Sequence, residues 1–131
     1  LNQLEMGEYG STPLGKMSTG QQRRCLLARA LVHQPKTLIL DEPTAGLDMT
    51  GAASYLSAIR DLAAGHHNIV VVTHHIHEIP PEVSRVVLLR NGTVAADGDK
   101  ESLLTSKVLS ELYGVNLRVV QSSGFFLAHP E

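Results

Sequence analysis

Thr37-Leu38-Ile39-Leu40-Asp41-Glu42-Pro43 is the stretch on which the reading of this chain turns. Its apolar residues run without polar alternation over the length of one strand. Such a run suits a strand buried on both faces, as in a parallel sheet. Two carboxylates follow, then a proline that cannot continue a ladder. A carboxylate at the carboxyl end of a parallel strand faces the ligand crevice of an α/β sheet. By itself Asp41-Glu42-Pro43 could equally be a polar strand exit, so its neighbours must decide.

Downstream, Asp48 is placed to cap a helix over about Thr50 to Ala64, with Leu56, Ile59, Leu62 and Ala63 as its stripe and Gly65 as its stop. Asn68 to Thr73 then carries Ile69-Val70-Val71-Val72, a second strand of the buried type. Strand, helix, strand implies a βαβ unit with a right-handed crossover. Upstream, Ser18 with Gln21 three residues on is a capping-box pattern. It opens a helix through Gln22 to Val32, with Leu26, Leu27, Ala30 and Leu31 at helical spacing and Pro35 beyond its end. Residues 1–17 are broken by Gly7, Gly10, Pro13 and Gly15, which predicts a short helical piece and a loop.

Beyond the second strand comes a histidine-rich loop ending at Pro80-Pro81. Ser84 to Arg90, Asn91-Gly92 and Thr93 to Asp97 predict a hairpin, because Asn-Gly between apolar runs is a strong hairpin signal. Asp99 is placed to cap a last helix bearing Leu103, Leu104, Val108, Leu109 and Leu112, closed by Gly114. Residues 115–128 predict a final hairpin around Ser122-Ser123-Gly124. No internal repeat or low-complexity linker occurs.

Composition narrows the classes. The 131 residues are 43% hydrophobic with a formal net charge of −2, enough for one domain with a core and no field that points to nucleic acid. One cysteine, Cys25, excludes an intrachain disulfide and a cysteine metal cluster and reads as a small packed hydrophobe. No apolar run approaches the roughly 20 residues that span a bilayer. Leu1-Asn2-Gln3-Leu4-Glu5 has neither an initiator Met nor a signal-peptide apolar region, and is read as a start within a longer protein.

Four blocks stand in register: Met17-Ser18-Thr19-Gly20-Gln21, Leu38-Ile39-Leu40-Asp41-Glu42-Pro43, Ala45-Gly46-Leu47-Asp48 and Val72-Thr73-His74. Their order and spacing over residues 14–98 closely resemble the ATP-binding-cassette (ABC) ATPases. The resemblance is to the C-terminal part of an ABC transporter ATP-binding protein, from just before the signature motif onward. It implies an α/β fold, part of a RecA-like P-loop NTPase domain with a C-terminal β-hairpin and helix. Within 1–131 it implies the end of a helical subdomain with the signature helix (1–35), RecA-like core strands (36–98) and a C-terminal helix and hairpin (99–131).

The resemblance also implies roles. Asp41 would hold Mg²⁺ through its water shell, since Mg²⁺ prefers carboxylate and phosphate oxygens. Glu42 would polarise the attacking water, and His74 would be the switch histidine that bonds the γ-phosphate. Ser18, Thr19, Gly20 and Gln21 would be the signature, reaching in trans to the nucleotide of a second ABC ATPase subunit in a head-to-tail dimer. A helix N-terminus suits that task because it offers unpaired N–H groups and a positive dipole end. Thr19 departs from the family's common Gly and Met17 from its common Leu. Asp48 would be the aspartate that couples the two sites. Both Ser18 and Asp48 also read as helix caps.

The implied function is an ATP-hydrolysing subunit, with ATP and Mg²⁺ as cofactors, that drives a membrane permease from the cytoplasmic face. The tail Leu112-Tyr113-Gly114-Val115 resembles importer ATPases for metal chelates or oxyanions. No nucleic-acid partner is implied. A soluble ABC ATPase of DNA repair or translation, and a fragment without catalysis, are the other readings. Gly10-Ser11-Thr12-Pro13-Leu14-Gly15-Lys16-Met17 mimics a P-loop, but Met17 stands where Mg²⁺ needs Ser or Thr, and Pro13 removes an N–H. The chain is therefore expected to be inactive alone. His66, His67, His74, His75 and His77 suggest a metal site, but His74 and His75 on extended chain point to opposite sides. Arg23, Arg24 and Arg29 read as a solvated or subunit-facing surface.

Overall fold

The computed structural model describes residues 4, 6–65 and 67–131. His66 and most of residues 1–5, the beginning of the expected helical piece, lie outside the described residues. The chain divides into two compact units, the first ending at His74 and the second beginning at His75.

In the first unit, short 3-10 turns at Gly7–Tyr9 and Leu14–Lys16 lead into α1, Thr19–Leu31. Ser18 caps α1 with both halves of the predicted capping box present. Strand β1, Thr37–Asp41, is followed by helix α2, Met49–Ala64, and strand β2, Asn68–Val72. β1 and β2 pair in parallel, with Ile39 opposite Val70 and Asp41 opposite Val72. The core beneath them collects Leu27 and Ala28 from α1, Leu38 from β1, and Tyr55, Ile59 and Leu62 from α2. Ile59 is almost fully buried, and burying such a side chain is worth about 1.5–3 kcal/mol. Cys25 packs against this core as a small hydrophobe, as expected. Leu26 and Ala30, expected on the helix stripe, are exposed instead. Leu27 and Leu31 of that stripe do face the core, and Ala28 joins them, so the inward stripe of α1 is shifted in part from the predicted one.

The expectation of a sheet buried on both faces is corrected. Leu38 and Leu40 point to the core, but their alternates form a bare apolar face: Ile39 is 71% exposed, and Val70 and Val72 are nearly half exposed. Strand alternation sends every second side chain to the other face, and none of the described residues of this unit covers it.

In the second unit a 3-10 turn, Ile76–Glu78, precedes strands β3, Arg85–Arg90, and β4, Thr93–Asp99. The last predicted helix is two helices, α3, Lys100–Leu103, and α4, Ser106–Tyr113. Asp99 precedes α3 without a side-chain cap bond, while Thr105 Oγ1 accepts from the Val108 N–H and starts the second helix. Leu104 falls between them at a non-helical ψ, which breaks the run. Strands β5, Leu117–Ser122, and β6, Phe125–Pro130, close the chain as an antiparallel hairpin. Leu104, Leu109 and Phe126 form the core of this unit. Beside it sits Lys100, only 1% exposed. Its ammonium donates to the carbonyls of Pro81 at 2.7 Å, Pro80 at 3.3 Å and Gly124 at 3.5 Å, and lies 5.6 Å from the centre of the Phe126 ring.

Candidate active site

Parallel pairing of β1 with β2 sets the geometry. The register ends with Asp41 beside Val72, so the next residues of both strands leave the sheet at the same place. The Glu42 N–H extends the ladder by donating to the Val72 carbonyl at 2.8 Å. Glu42 sits at φ +43°, in the left-handed region that costs an L-residue free energy. Two residues past Val72, His74 turns Nδ1 to within 2.6 Å of Glu42 Oε1. The pair is not sealed from solvent: the His74 side chain is 68% exposed and that of Glu42 31%. A carboxylate bonded to an imidazole is held in one direction, and the imidazole is fixed in one tautomer or charged. Such a pair can take a proton from a water and keep its own geometry while doing so.

Asp41 lies one residue earlier on the exposed side of the strand, on the face shared by Ile39, Val70 and Val72. Asp48 ends the same loop. Its Oδ1 accepts from the Gly51 N–H at 2.7 Å, so the expected helix cap is made.

The second group lies at the start of α1. Ser18 Oγ accepts from the Gln21 N–H at 3.3 Å, and Gln21 Oε1 accepts from the Ser18 N–H at 2.8 Å. Gln22 Nε2 donates to the carbonyls of Leu14 at 3.1 Å and Met17 at 3.0 Å, tying the entering loop to the helix. Ser18, Gly20 and Gln21 line an open cavity of about 660 Å³ together with Glu8, Arg24 and Tyr55. Burial raises the Tyr55 phenol above its ordinary value of 10.0, and the charge of Arg23 pulls it in the opposite sense.

The P-loop mimic is settled by the same geometry. Residues 14–16 are a 3-10 turn in which the N–H of Lys16 donates to Pro13 and that of Met17 to Leu14, so these donors do not form a phosphate nest.

Three residues were missed in the sequence. Arg23 and Arg24, read as a solvated or subunit-facing surface, are half-buried and also tie segments of the chain together: Arg23 Nη2 donates to the Ala45 carbonyl at 3.1 Å and Arg24 to Ser54 Oγ. Thr44 is 4% exposed and its hydroxyl has no hydrogen-bond partner within the described residues. No spacing rule would have found any of the three, because each acts on residues far away or on none. Among the described residues, no helix is long and apolar enough to cross a membrane.

Comparison with known proteins bears on the family and the fold. The family model for ABC transporter matches residues 1–45. The chain is 35% identical over 122 residues to the uncharacterized ABC transporter ATP-binding protein YlmA of Bacillus subtilis, covering 92% of this chain and 46% of that protein. It is 39% identical over 99 residues to the arginine transport ATP-binding protein ArtP of Escherichia coli, covering 76% of this chain and 41% of that one. Its fold matches an inward-facing ABC transporter described as of metal-chelate type with a TM-score of 0.84 at 28% identity, over 98% of this chain and 52% of the other. The chain thus spans about half the length of the relatives it matches. From these likenesses the chain belongs to the ABC transporter ATP-binding proteins and has the α/β fold of an ABC ATPase domain, of which it covers the C-terminal part.

Proposed function

We propose that this chain serves an ATP-hydrolysing subunit of an ABC transporter, and that Glu42 and His74 are its catalytic residues. The observation that carries the reading is the 2.6 Å contact between His74 Nδ1 and Glu42 Oε1 at the carboxyl end of a parallel pair. Glu42 accepts the proton of the attacking water, and His74 holds Glu42 in line and reaches the γ-phosphate. Asp41, exposed on the strand end, fits Mg²⁺ because a carboxylate oxygen facing solvent can hold the ion through its water. When bound, Mg²⁺ neutralises charge on the phosphates.

The residues Ser18, Thr19, Gly20 and Gln21 serve the nucleotide of a second subunit. The capping box engages the Ser18 and Gln21 N–H groups with the Gln21 side-chain oxygen and the Ser18 hydroxyl, which leaves the N–H groups of Thr19 and Gly20 as the natural phosphate donors. Asp48 couples the two sites of that dimer. The phosphate-binding loop comes from sequence outside these residues, so the 131-residue chain does not turn over ATP unaided. The 1–35, 36–98 and 99–131 segments act as signature helix, core strands and C-terminal support. A membrane permease on the cytoplasmic face is the partner. The relatives' cargoes differ: one is named for arginine transport and another for chelated iron transport. The likeness to the metal-chelate type transporter and the tail Leu112-Tyr113-Gly114-Val115 favour a metal-chelate importer.

The test is Glu42→Gln in a full-length subunit that carries these residues. Turnover falls by about two to four orders of magnitude, as for loss of a general base, while ATP binding persists. Unchanged steady-state hydrolysis would remove Glu42 from the reaction.

A further inference from the structure

The loop from Glu42 to Asp48 is clamped along its length to the first two turns of α1. Arg23 Nη2 donates to the carbonyl of Ala45, across 22 positions of sequence, at 3.1 Å. One turn earlier, Gly46 comes so near Thr19 that a methyl group on it would lie 3.7 Å from Thr19 Cγ2. A methyl on Gly20 would likewise lie 3.9 Å from Leu47 Cδ2. The loop is stiff. The Ala45 N–H donates to the Glu42 carbonyl at 3.1 Å, the Leu47 N–H to Thr44 at 3.0 Å, and Pro43 and Thr44 are buried. One end is Glu42 at positive φ, and the other is Asp48, fixed as the cap of α2.

We infer that Arg23 is a positioning residue for Glu42: its guanidinium holds the middle of the Glu42–Asp48 loop against α1 and so sets the direction of the Glu42 carboxylate. A stiff loop held at both ends and in its middle has little freedom to turn Glu42 away. A half-buried guanidinium suits the task, since it stays charged and its bond to a carbonyl is charge-assisted. The same clamp transmits any tilt of α1, on whose N-terminus Ser18 and Gly20 sit, to the catalytic carboxylate of the same chain. The inference rests on the reading of Glu42 as the base, and gives Arg23 a role that runs through the loop.

The experiment uses the full-length subunit with Arg23→Met, which keeps the aliphatic stem, and Arg23→Lys, which keeps a charge and a donor. Arg23→Met lowers kcat about tenfold, the scale of one charge-assisted hydrogen bond, and leaves KM for ATP within about twofold. Arg23→Lys recovers part of the loss. Repeating Arg23→Met in the Glu42→Gln background separates positioning from mere support. A residue acting through Glu42 costs nothing further once Glu42 is disabled. An equal drop in both backgrounds overturns the inference, and so does a normal kcat per folded Arg23→Met subunit with a lowered melting temperature. If Glu42→Gln itself turns over normally, the reading of Glu42 fails and the inference with it. If Glu42→Gln is inactive and Arg23→Met is normal, only the inference fails.

Discussion

The two C-terminal hairpins offer a matched pair of glycines. Asn91-Gly92 and Ser123-Gly124 each connect antiparallel strands through two residues, and all four have positive φ: 52° and 75° in the first turn, 51° and 81° in the second. Both are turns of the I′ kind, which match the twist of the strands they join. Replacing either glycine by alanine imposes the same backbone penalty, about 1–2 kcal/mol for an L-residue in the left-handed region. Their surroundings differ. A Cβ on Gly92 meets nothing within 4 Å. A Cβ on Gly124 meets the Pro81 Cβ at 2.8 Å and Cγ at 3.3 Å. Pro81 has little room to retreat, because its ring is rigid and its carbonyl is held by Lys100 at 2.7 Å. Forcing atoms into such a contact adds about 1–3 kcal/mol. Gly92→Ala should therefore cost about 1–2 kcal/mol and Gly124→Ala about 2–5 kcal/mol. Native-state hydrogen exchange at the amides of β3–β4 and β5–β6 reads each loss locally. A 1–3 kcal/mol gap corresponds to roughly 5- to 150-fold faster exchange in β5–β6 of Gly124→Ala than in β3–β4 of Gly92→Ala, each relative to the parent. Equal losses in the two variants would refute the reasoning, since only the contact with Pro81 distinguishes them.

Ser18→Arg in the full-length subunit should block ATP-driven dimerisation and hydrolysis while each subunit still binds ATP. One such contact is worth about 2–4 kcal/mol of transition-state stabilisation, and dimerisation equal to the parent's would leave Ser18 as a helix cap alone. The bare face of Ile39, Val70 and Val72 should make the 131-residue chain self-associate, and Ile39→Lys with Val70→Lys should suppress that. Sedimentation of the parent chain as a compact monomer would contradict it. Arg85, through its side-chain hydrogen bonds, holds the Asp97 carboxyl below its ordinary value of 3.8. A lowered folded value supports the fold above the ordinary value and loses that support as pH falls through the lowered one. Asp97→Asn should thus be slightly less stable than the parent near neutrality, with the difference closing in acid. The pair is open to solvent, so the difference should also shrink in salt. A difference that stays constant into strong acid would reject this account.

Much of this protein is written locally. The Ser18–Gln21 capping box, the limits of β1 and the stop of α2 at Gly65 depend on residues within one turn or one strand of each other, and the structure returns them as the sequence predicts. The Asn91-Gly92 turn is legible for the same reason. The spacing of the four motifs was enough to indicate the family, because motif order survives without knowledge of any contact. Where local cues competed, the prediction slipped. The 99–114 run reads as one helix, yet Thr105 supplies a second cap and splits it.

The contacts that make a site were decided only by the tertiary structure. Glu42 and His74 are 32 positions apart, and nothing in either neighbourhood states that Nδ1 will meet Oε1. The register of β1 against β2 decides it, and register is a property of two strands and the core beneath them. Arg23 looked like surface because its partner is a backbone carbonyl, which carries no mark in a sequence. Carbonyls from two remote segments enclose Lys100, and no local pattern in the sequence states that. The bare face of β1 and β2 misled in the opposite sense: an apolar run states that a strand should be covered on both sides, and only the packed structure shows which side these residues cover. Periodicity and capping are short-range, so one chain segment expresses them alone. Pairing, enclosure and exposure belong to segments that meet only after folding.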